Sequence, residues 1–321
     1  MKKPSTSRKH VTLVNPKNPS LVLYPLLLRL LEKYRAEFNY DLHIIKGGSG
    51  LHSSTLRYMN THRDKYDLLF LHHGEKRYSS KVIDYKVAYY PHLWYFNHGG
   101  YAGLSELCEH DLSNPQSEHT INEHYTKEVL PLLSKTKYEK LQQHKDITAL
   151  NEFLFIPLQV AVDRVMSMSS ISTRQMCDRV IEVAKRMNLP VVLKVHPLSS
   201  PYCTNRKLAK FLSDNYSNVY VSNADVRDLL DRARATFVIN SGVGFESLCR
   251  LLPTFTFGKS DYIAATYHNF TLEEIQTALE SSIDEKKIKT FLFNWFQHIL
   301  NTNNEDDMEN RVVNLLKEKL L

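Results

Sequence analysis

Glycine, cysteine and long apolar runs are all scarce in this sequence, and each scarcity excludes a class of protein. The ten glycines are too few and too irregularly spaced for a fibrous or low-complexity chain. There are four cysteines, at positions 108, 177, 203 and 249, and they form no C-x-x-C pair. We therefore expect reduced thiols in a cytosolic protein rather than a disulfide framework or a zinc site.

The sequence also lacks the pattern of a membrane span or a secretory signal. Its most apolar segment, residues 21–31, is interrupted by Pro25 and Arg29 and is too short to cross a bilayer. Residues 1–10 are basic and polar, without the apolar region of a signal peptide. We expect a cytoplasmic protein. The tail holds four basic residues, Lys2, Lys3, Arg8 and Lys9. It could contact an anionic membrane surface peripherally, although a solvated terminus is the simpler interpretation.

The composition is that of a globular protein with a full core. Hydrophobic residues make up 42% of the 321 and charged residues 24%, and this length favours two domains. Lys and Arg number 41 against 35 Asp and Glu, a net charge of +6. This excess suits anionic small molecules or glycans. It lacks the dense basic stripe of a nucleic-acid-binding protein, so no nucleic-acid partner is expected.

Short β-rich runs alternate with helical ones along the chain, which is typical of parallel sheets flanked by helices. In the first half, strands are predicted at 10–14, 41–45, 67–71, 86–90 and 93–96, and a helix at 20–38. In the second half, strands are predicted at 153–157, 191–195, 218–221, 236–239 and 254–257, and helices at 173–187, 205–214, 225–233 and 244–251. A polar, helix-compatible connector covers 118–146, and residues 272–321 are predicted to be helical throughout.

This order predicts an α/β protein with two Rossmann-like domains and a C-terminal helical tail. The predicted domains are 1–148, which ends in the connector, and 149–321, which includes the tail. In such folds a ligand binds in the cleft at the carboxyl ends of the strands. Glycines cluster after predicted strands at 47–50, 99–103 and 242–244, and we interpret these clusters as places where the backbone approaches a ligand.

The strongest candidate stretch follows the strand at 236–239 and reads Asn240-Ser241-Gly242-Val243-Gly244-Phe245-Glu246-Ser247. A strand, a loop of small residues and a helix start direct free N–H groups and a positive dipole end at one point, which suits a phosphate. Ser241 can cap the helix or donate to a phosphoryl oxygen. Glu246 could accept hydrogen bonds from sugar hydroxyls. An ordinary capped helix with a surface glutamate is the alternative.

Two more strands end in polar groups. Lys194 and His196 project to one face of the strand that Pro197 ends, so they could neutralise a phosphate and protonate a leaving oxygen. After the strand at 153–157 come Gln159 and Asp163. Asp163 could act as nucleophile or general base at a sugar carbon, and a helix-capping or loop aspartate is an equal alternative.

The first half offers weaker candidates. The loop that contains His98, Gly99, Gly100, Tyr101 and Glu106 precedes a short helix and could carry acceptor-side groups. The Gly-Gly-Ser-Gly turn at 47–50 would face the same cleft. Neither an H-E-x-x-H pattern nor a D-x-D pattern after a strand occurs in the sequence, so metal-independent chemistry without a cofactor is expected.

Three elements together resemble the bacterial capsule polysaccharide synthesis proteins. They are Pro157-Leu158-Gln159 with Asp163, Lys194-x-His196-Pro197, and Asn240-Ser241-x-x-Gly244-x-Glu246. The resemblance covers roughly residues 150–262. That family includes β-Kdo transferases of GT-B architecture, so the resemblance implies a glycosyltransferase of polysaccharide biosynthesis. In the first half, Gly100-Tyr101 with Ser105-Glu106 is similar to a Gly-Tyr…Thr-Glu element of the same family.

The resemblance also implies roles for these residues. The donor nucleotide and its phosphate would be held by Lys194, His196, Ser241 and Glu246, with Gln159, Asn240, Gly242 and Gly244 beside them. Asp163 would be the carboxylate at the reacting sugar, His196 would assist, and Glu106 would be an acid or base in the acceptor-side domain, near His98 to Tyr101. The donor stays open between a CMP-Kdo-like sugar and a UDP-sugar such as UDP-xylose, and the acceptor is a glycan. The alternatives are a nucleotide-sugar epimerase on the same fold and a non-catalytic glycan- or nucleotide-binding protein.

Overall fold

The computed structural model of the chain forms two compact units, and each has its own sheet. It describes residues 8–15, 23–46, 65–72, 79–109, 116–135, 150, 152–161, 163–268 and 270–321. One unit comprises Met1–Glu106 with His298–Leu321, and the other comprises Leu107–Gln297. This division groups the connector with the second sheet and the end of the chain with the first. The boundary that the sequence suggests between residues 148 and 149 stays a prediction.

The first unit is built on a six-stranded sheet in the order β11-β5-β4-β3-β1-β2. The strands are β1 (Lys9–Asn15), β2 (Tyr40–Lys46), β3 (Leu68–His72), β4 (Val82–Val87), β5 (Leu93–Asn97) and β11 (Leu300–Asn301). Strands β1 to β4 pair in parallel, whereas β5 runs antiparallel to β4 and β11 antiparallel to β5. The sheet is therefore mixed rather than parallel. The connection between β4 and β5, residues 88–92, is too short for a crossover helix, so these two strands form a hairpin.

Strand β4 lies earlier in the chain than the sequence predicts. The predicted strand at 86–90 was wrong, since residues 82–87 pair with the sheet and Ala88 already donates to the Leu93 carbonyl across the hairpin, at 2.7 Å. The buried Asp84 in β4, 1% exposed, interrupts the apolar pattern. The strand predicted from composition was therefore displaced towards Tyr89 and Tyr90, the aromatic residues of the turn.

Two helices cover this sheet and give the first unit its core. Helix α1 (Leu23–Tyr34) buries Leu27 and Leu31, and helix α9 (Glu305–Leu320) buries a stripe of residues four apart, Met308, Val312, Leu316 and Leu320. Asn304 caps α9 by accepting from the Asp307 N–H at 3.0 Å. The acidic run 305–307 lies in its first turn, where the helix dipole favours negative charge.

The second unit contains a five-stranded, wholly parallel sheet in the order β10-β9-β6-β7-β8. The strands are β6 (Phe153–Leu158), β7 (Val191–Val195), β8 (Val219–Val221), β9 (Ala233–Val238) and β10 (Thr254–Thr256). The helices are α2 (Glu118–His124), α3 (Thr173–Arg186), α4 (Thr204–Asn215), α5 (Val226–Leu230), α6 (Gly242–Cys249), α7 (Leu272–Glu280) and α8 (Glu285–His298). All residues of β6 and β7 are buried, as expected for strands covered on both faces.

The sequence predicted that residues 272–321 are helical throughout, and this prediction was wrong. Helices α7, α8 and α9 are separated, and Leu300–Asn301 joins the edge of the first sheet as β11. The polar connector is helical over part of its length, as α2 followed by a π-turn at Tyr125–Val129 and a 3-10 turn at Leu130–Leu132.

No helix in the described ranges has the length and apolarity that a membrane crossing requires.

The stripe of α9 generates a stability prediction. Leu316→Ala removes a fully buried side chain from the first core, and we expect it to lower the free energy of unfolding by about 2–5 kcal/mol. Trp94 lies in the same core, so its fluorescence in a Trp295→Phe background reports urea unfolding of this unit alone.

The control in that background is Lys317→Ala, which alters an exposed position of the same helix and should change stability by less than about 0.5 kcal/mol. Equal effects of the two substitutions would contradict the packing of α9 on the first sheet.

Candidate functional site

The candidate residues of the second unit lie at one edge of its sheet. Gln159 follows β6, His196 follows β7, and Asn240 follows β9 after one residue. Strands β7 and β9 are the two neighbours of β6 in the sheet. They lead to helices on opposite faces of the sheet, so the chain reverses its winding at β6. Such a switch point is where open α/β sheets bind ligands. With strands about 4.8 Å apart, the ends of β7 and β9 are roughly 10 Å from each other.

Two buried amides bridge the switch point. Gln159 Nε2 donates to Asn240 Oδ1 at 3.0 Å, and the Asn240 backbone N–H donates to Gln159 Oε1 at 3.4 Å. The two side chains are 8% and 2% exposed. The Gln159 carbonyl in turn accepts from Asn205 Nδ2, in the first turn of α4, at 2.5 Å. These residues join the ends of β6 and β9 to the start of α4.

Asn240 also holds the loop that carries Asp163. Its Nδ2 donates to the Val165 carbonyl at 2.6 Å and to the Lys259 carbonyl at 3.2 Å. Asp163 is exposed and caps the short 3-10 helix Arg164–Met168 by accepting from the Val165 N–H at 3.3 Å. The amide of Asn240 therefore has its donors and its acceptor engaged within the protein. These contacts let Gln159 and Asn240 position the loop, and the donor contact that the resemblance implies for them stays a prediction.

Helix α6 begins at Gly242, two residues before its predicted start, and Ser241 caps it, which is one of the two roles predicted for this serine. Ser241 Oγ accepts from the Val243 N–H at 3.3 Å, and the Ser241 carbonyl accepts from the Tyr262 hydroxyl at 2.5 Å. A Cβ on Gly244 would lie 2.6 Å from that hydroxyl, so this glycine is needed for the packing of Tyr262. Gly242, the first residue of α6, is half-buried. It is therefore more accessible than Gly244, which is buried.

Glu246 lies in the second turn of α6 and is only 5% exposed. The surface glutamate that was the alternative interpretation is therefore wrong. Its backbone carbonyl accepts from Arg250 Nη1 at 3.3 Å, and Arg250 also binds the Leu133 carbonyl through Nη2 at 2.6 Å. The side chain of Glu246 is thus buried close to the start of α6 rather than exposed.

Lys194 belongs to a buried charged cluster. Its Nζ donates to the Ala224 carbonyl at 2.6 Å, and it is 8% exposed. Next to it, the fully buried Asp225 accepts from Arg227 through Nη2 at 2.6 Å and through Nε at 3.0 Å. Burial lowers the pKa of Lys194 from its usual value, and Asp225 opposes that shift. The ammonium group therefore supplies its charge from beneath the surface of the sheet edge.

His196 is half-buried and lies directly beside the end of β6. Its backbone N–H donates to the Leu158 carbonyl at 3.1 Å, and its Nδ1 accepts from the Leu198 N–H at 3.1 Å. A ring whose Nδ1 accepts carries its proton on Nε2 when it is neutral. The local backbone thus fixes the tautomer in which Nε2 is the donor, and that is the form that can bind an anion.

In the first unit, the candidate loop after β5 is closed by Asn97. Asn97 Oδ1 accepts from the Gly99 N–H at 3.0 Å, and Asn97 Nδ2 donates to Ser105 Oγ at 3.1 Å. A Cβ on Gly99 would lie 2.5 Å from the Glu106 nitrogen, so only glycine allows the two ends of the loop to meet. Gly99 and Glu106 are therefore neighbours in the folded loop, as expected from their place in one candidate stretch of the sequence.

The rest of this loop is tightly wound. Gly100 and Ala102 have φ values of 100° and 48°, a region that favours glycine, so Ala102 is strained. Tyr101 is 4% exposed, and Lys86 Nζ lies 3.1 Å from the centre of its ring. His98 Nδ1 contacts the Val82 carbonyl at 2.9 Å. Glu106 is half-buried at the start of a short 3-10 helix. The glycines here serve loop closure.

Some predicted features lie outside the described residues, notably the turn at 47–50. Within the described ranges, no group of three or more His, Cys, Asp or Glu side chains is arranged to hold a metal ion. Metal independence stays a prediction. Asn205 and Tyr262 were missed by sequence reasoning, because their contacts join positions that are 46 and 21 residues apart in the chain and no local pattern signals such pairs. The sequence also did not show that Asp225 lies near Lys194.

The chain is similar to known proteins in sequence family and in fold. The profile of the family described as capsule polysaccharide biosynthesis protein matches residues 101–298, more than half of the chain. The resemblance drawn from the three motifs is therefore confirmed. No curated protein sequence matches the chain.

Among solved structures, two transferases of Thermosulfurimonas dismutans KpsC share the fold. The beta Kdo 2,7 transferase has a TM-score of 0.51 and 14% identity over 89% of each chain. The beta Kdo 2,4 transferase has a TM-score of 0.51 and 13% identity, over 87% of this chain and 89% of the other. At such identities the likeness shows the fold alone, and it confirms the predicted GT-B-like α/β class. A UDP-GlcNAc 2-epimerase of Methanocaldococcus jannaschii, at 12% identity over 91% of this chain and all of the other, has a TM-score of 0.40, too low to carry an argument.

The amide pair generates a second prediction. Asn240→Ala removes the partners of buried polar groups on Gln159, Val165 and Lys259, and we expect a loss of about 2–4 kcal/mol in unfolding free energy. The matched control is Asn223→Ala at an exposed position, which should cost less than about 0.5 kcal/mol. A Gln159→Ala and Asn240→Ala double-mutant cycle should give a coupling of at least about 0.5 kcal/mol. Additive effects would contradict the bridge.

The buried ammonium generates a prediction of pH dependence. Because the pKa of Lys194 is lower in the folded chain than in the unfolded chain, the unfolded state binds more protons between those two values, and stability rises with pH there. The difference in unfolding free energy between wild type and Lys194→Met should therefore shift in favour of wild type as the pH rises from neutral towards the ordinary lysine pKa of about 10.4. A difference that is constant over this range would contradict the lowered pKa.

Proposed function

The chain belongs to the capsule polysaccharide biosynthesis protein family, and from this premise we propose that it transfers a sugar from a nucleotide-sugar donor to a growing glycan. Family and fold together support a glycosyltransferase of GT-B architecture. The observation that supports the finer proposal is the strand order. His196, Ser241 and the Asp163 loop all follow strands on either side of the switch point of one parallel sheet. That is where a nucleotide with its phosphate fits this class of sheet.

In this proposal the donor phosphate binds between the amino end of α6 and the imidazole of His196. The helix start offers its positive dipole end and the Gly242 N–H, since the N–H groups of Val243 and Gly244 donate to Ser241. His196 carries its proton on Nε2 when its Nδ1 accepts, so Nε2 can act as a donor. Lys194 adds positive charge from below without leaving its Ala224 carbonyl. Negative charge accumulates on the leaving nucleotide when the bond from the sugar to the phosphate oxygen breaks, so stabilising this charge is the main catalytic contribution.

Asp163 is the carboxylate that we assign to the reacting sugar. It is exposed, and its position is fixed because the adjoining Val165 is held by Asn240. It either attacks the anomeric carbon, forming an adduct that the acceptor hydroxyl then displaces, or takes the proton of that hydroxyl as it attacks. Glu106, in the loop closed by Asn97, is the proposed acid or base on the acceptor side. The Gln159–Asn240 bridge positions the carboxylate and does not contact the donor.

The donor class follows from a binding experiment. CMP-, UDP- and GDP-sugars are compared by the shift that each produces in the melting temperature of the full chain, since a ligand stabilises the state that it binds. We expect one nucleotide class, CMP- or UDP-linked, to stabilise the protein. If none of the three donors shifts the melting temperature, the proposed donor site is overturned.

Transfer itself is tested with the stabilising donor and a glycan acceptor. Asp163→Asn and His196→Gln should each lower the transfer rate at least about 100-fold, the usual contribution of a nucleophile or general acid, with melting temperatures unchanged. The matched controls are Asp228→Asn and His119→Gln at exposed positions, which should keep full activity. Donor conversion without acceptor would indicate an epimerase, and binding without any turnover would indicate a non-catalytic protein. Either outcome would overturn the transferase proposal.

A further inference from the structure

The large apolar side chains that stay exposed are concentrated in one part of the second unit. Among the described residues there are eight of them, and five fall within residues 198–221. These are Leu198, Tyr202, Phe211, Tyr220 and Val221. Tyr202 is 84% exposed and Leu198 is 57% exposed. Single exposed apolar residues are ordinary, but a cluster of them marks a surface that contacts something else.

The same stretch contains no acidic residue for a long distance. Between Glu182 and Asp214 there is neither an aspartate nor a glutamate. Arg206, Lys207 and Lys210 in α4 are exposed. Lys210 pairs with Asp214 at 2.9 Å, whereas Arg206 and Lys207 make no ion pair within the described chain. The surface around the start of α4 is therefore cationic.

The helical spacing brings these cations to the face of α4 that points away from the sheet. Asn205, Ala209 and Leu212 are the buried residues of α4. Lys207, Lys210 and Phe211 lie on the opposite side, three or four residues apart, so they are neighbours on the helix surface. Arg174 of α3 lies over the Phe211 ring, 4.9 Å from its centre, and is itself paired with Asp178 at 2.8 Å.

We propose that the loop 197–203 and the outer face of α4, here called the α4 surface, bind the surface of an anionic phospholipid bilayer. Tyr202 and Leu198 would enter the interface, where an aromatic ring with a polar end and an aliphatic side chain are favoured. Arg206, Lys207 and Lys210 would lie against the anionic headgroups. A modest apolar tip surrounded by cations suits a lipid interface better than a protein partner, whose binding site has a larger apolar centre with few charges.

The α4 surface follows directly on the candidate site, because Leu198 donates its backbone N–H to His196. Bilayer binding would bring the carboxyl edge of the second sheet close to the headgroups. The inference does not need the proposed transfer activity, since binding is measured without donor or acceptor. Its failure and the failure of the proposed function are therefore separate results.

The first test is flotation of the full chain with lipid vesicles. Vesicles with about 30% phosphatidylglycerol in phosphatidylcholine should bind the protein at least 10-fold more tightly than vesicles of phosphatidylcholine alone, and added salt should weaken the binding. The triple variant R206Q/K207Q/K210Q should bind at least 10-fold more weakly. The charge-matched control K286Q/K287Q/K317Q neutralises three other exposed lysines and should bind as wild type does.

The second test asks whether the loop itself enters the interface. Both natural tryptophans are buried, so a new one reports its own position. Tyr202→Trp should show a blue-shifted emission on addition of the anionic vesicles, whereas Leu130→Trp, at an exposed site in another segment, should show none. L198S/Y202S should bind at least 10-fold more weakly, whereas the control L130S/L321S should not.

Several results would overturn the proposal. One is the absence of binding to anionic vesicles. Another is binding that the α4 variants leave unchanged, which would assign the contact to a different surface, such as the basic amino-terminal tail. A third is tight binding of a soluble anionic polysaccharide that depends on the same three cations while vesicles do not bind, because the α4 surface would then recognise a glycan. Equal melting temperatures of all variants exclude misfolding as the cause.

Discussion

The hydrogen-bonded pair of Gln159 and Asn240 is the interaction on which the candidate site depends. Four segments reach the carboxyl edge of the second sheet from different parts of the chain, and this pair, with Asn205, connects all of them. Both side-chain amides are buried, and their donors and acceptors bind partners within the protein. The bridge therefore requires one particular geometry and also stabilises the fold. Parallel strands alone would align the backbone but would leave the loop after Ala161 unanchored.

A buried charge beside this bridge gives the site its electrostatic character. Strand β7 is apolar except for Lys194, and burying an ammonium group is unfavourable unless it is paired. The Ala224 carbonyl and the Asp225–Arg227 pair supply that compensation. The cluster therefore holds a positive charge under the switch point. A rigid charge in a region of low dielectric acts more strongly on a bound anion than a solvated lysine would.

The sequence predicted the second unit better than the first, and the reason is physical. Strands covered on both faces read as unbroken apolar runs, so β6 and β7 were found within one residue of their ends. Strand β4 was misplaced because Asp84 is buried inside it. The motifs located the carboxyl edge correctly. They could not tell which side chains face a ligand, because the partners of Asn240 and Lys194 are distant in sequence. Only the folded chain distinguishes a residue that positions the site from one that can touch a donor.

The site and the α4 surface share one feature of the sequence, the absence of acidic residues between Glu182 and Asp214. That segment runs through β7 and His196 into the start of α4, so it contains both the buried Lys194 and the exposed Lys207. Screening by salt weakens exposed charges far more than buried ones. High ionic strength should therefore weaken any attraction of the exposed cations for an anion more than it weakens the effect of the charge under the sheet edge. In both proposals, the depth of a cation below the surface determines how strongly salt changes its effect.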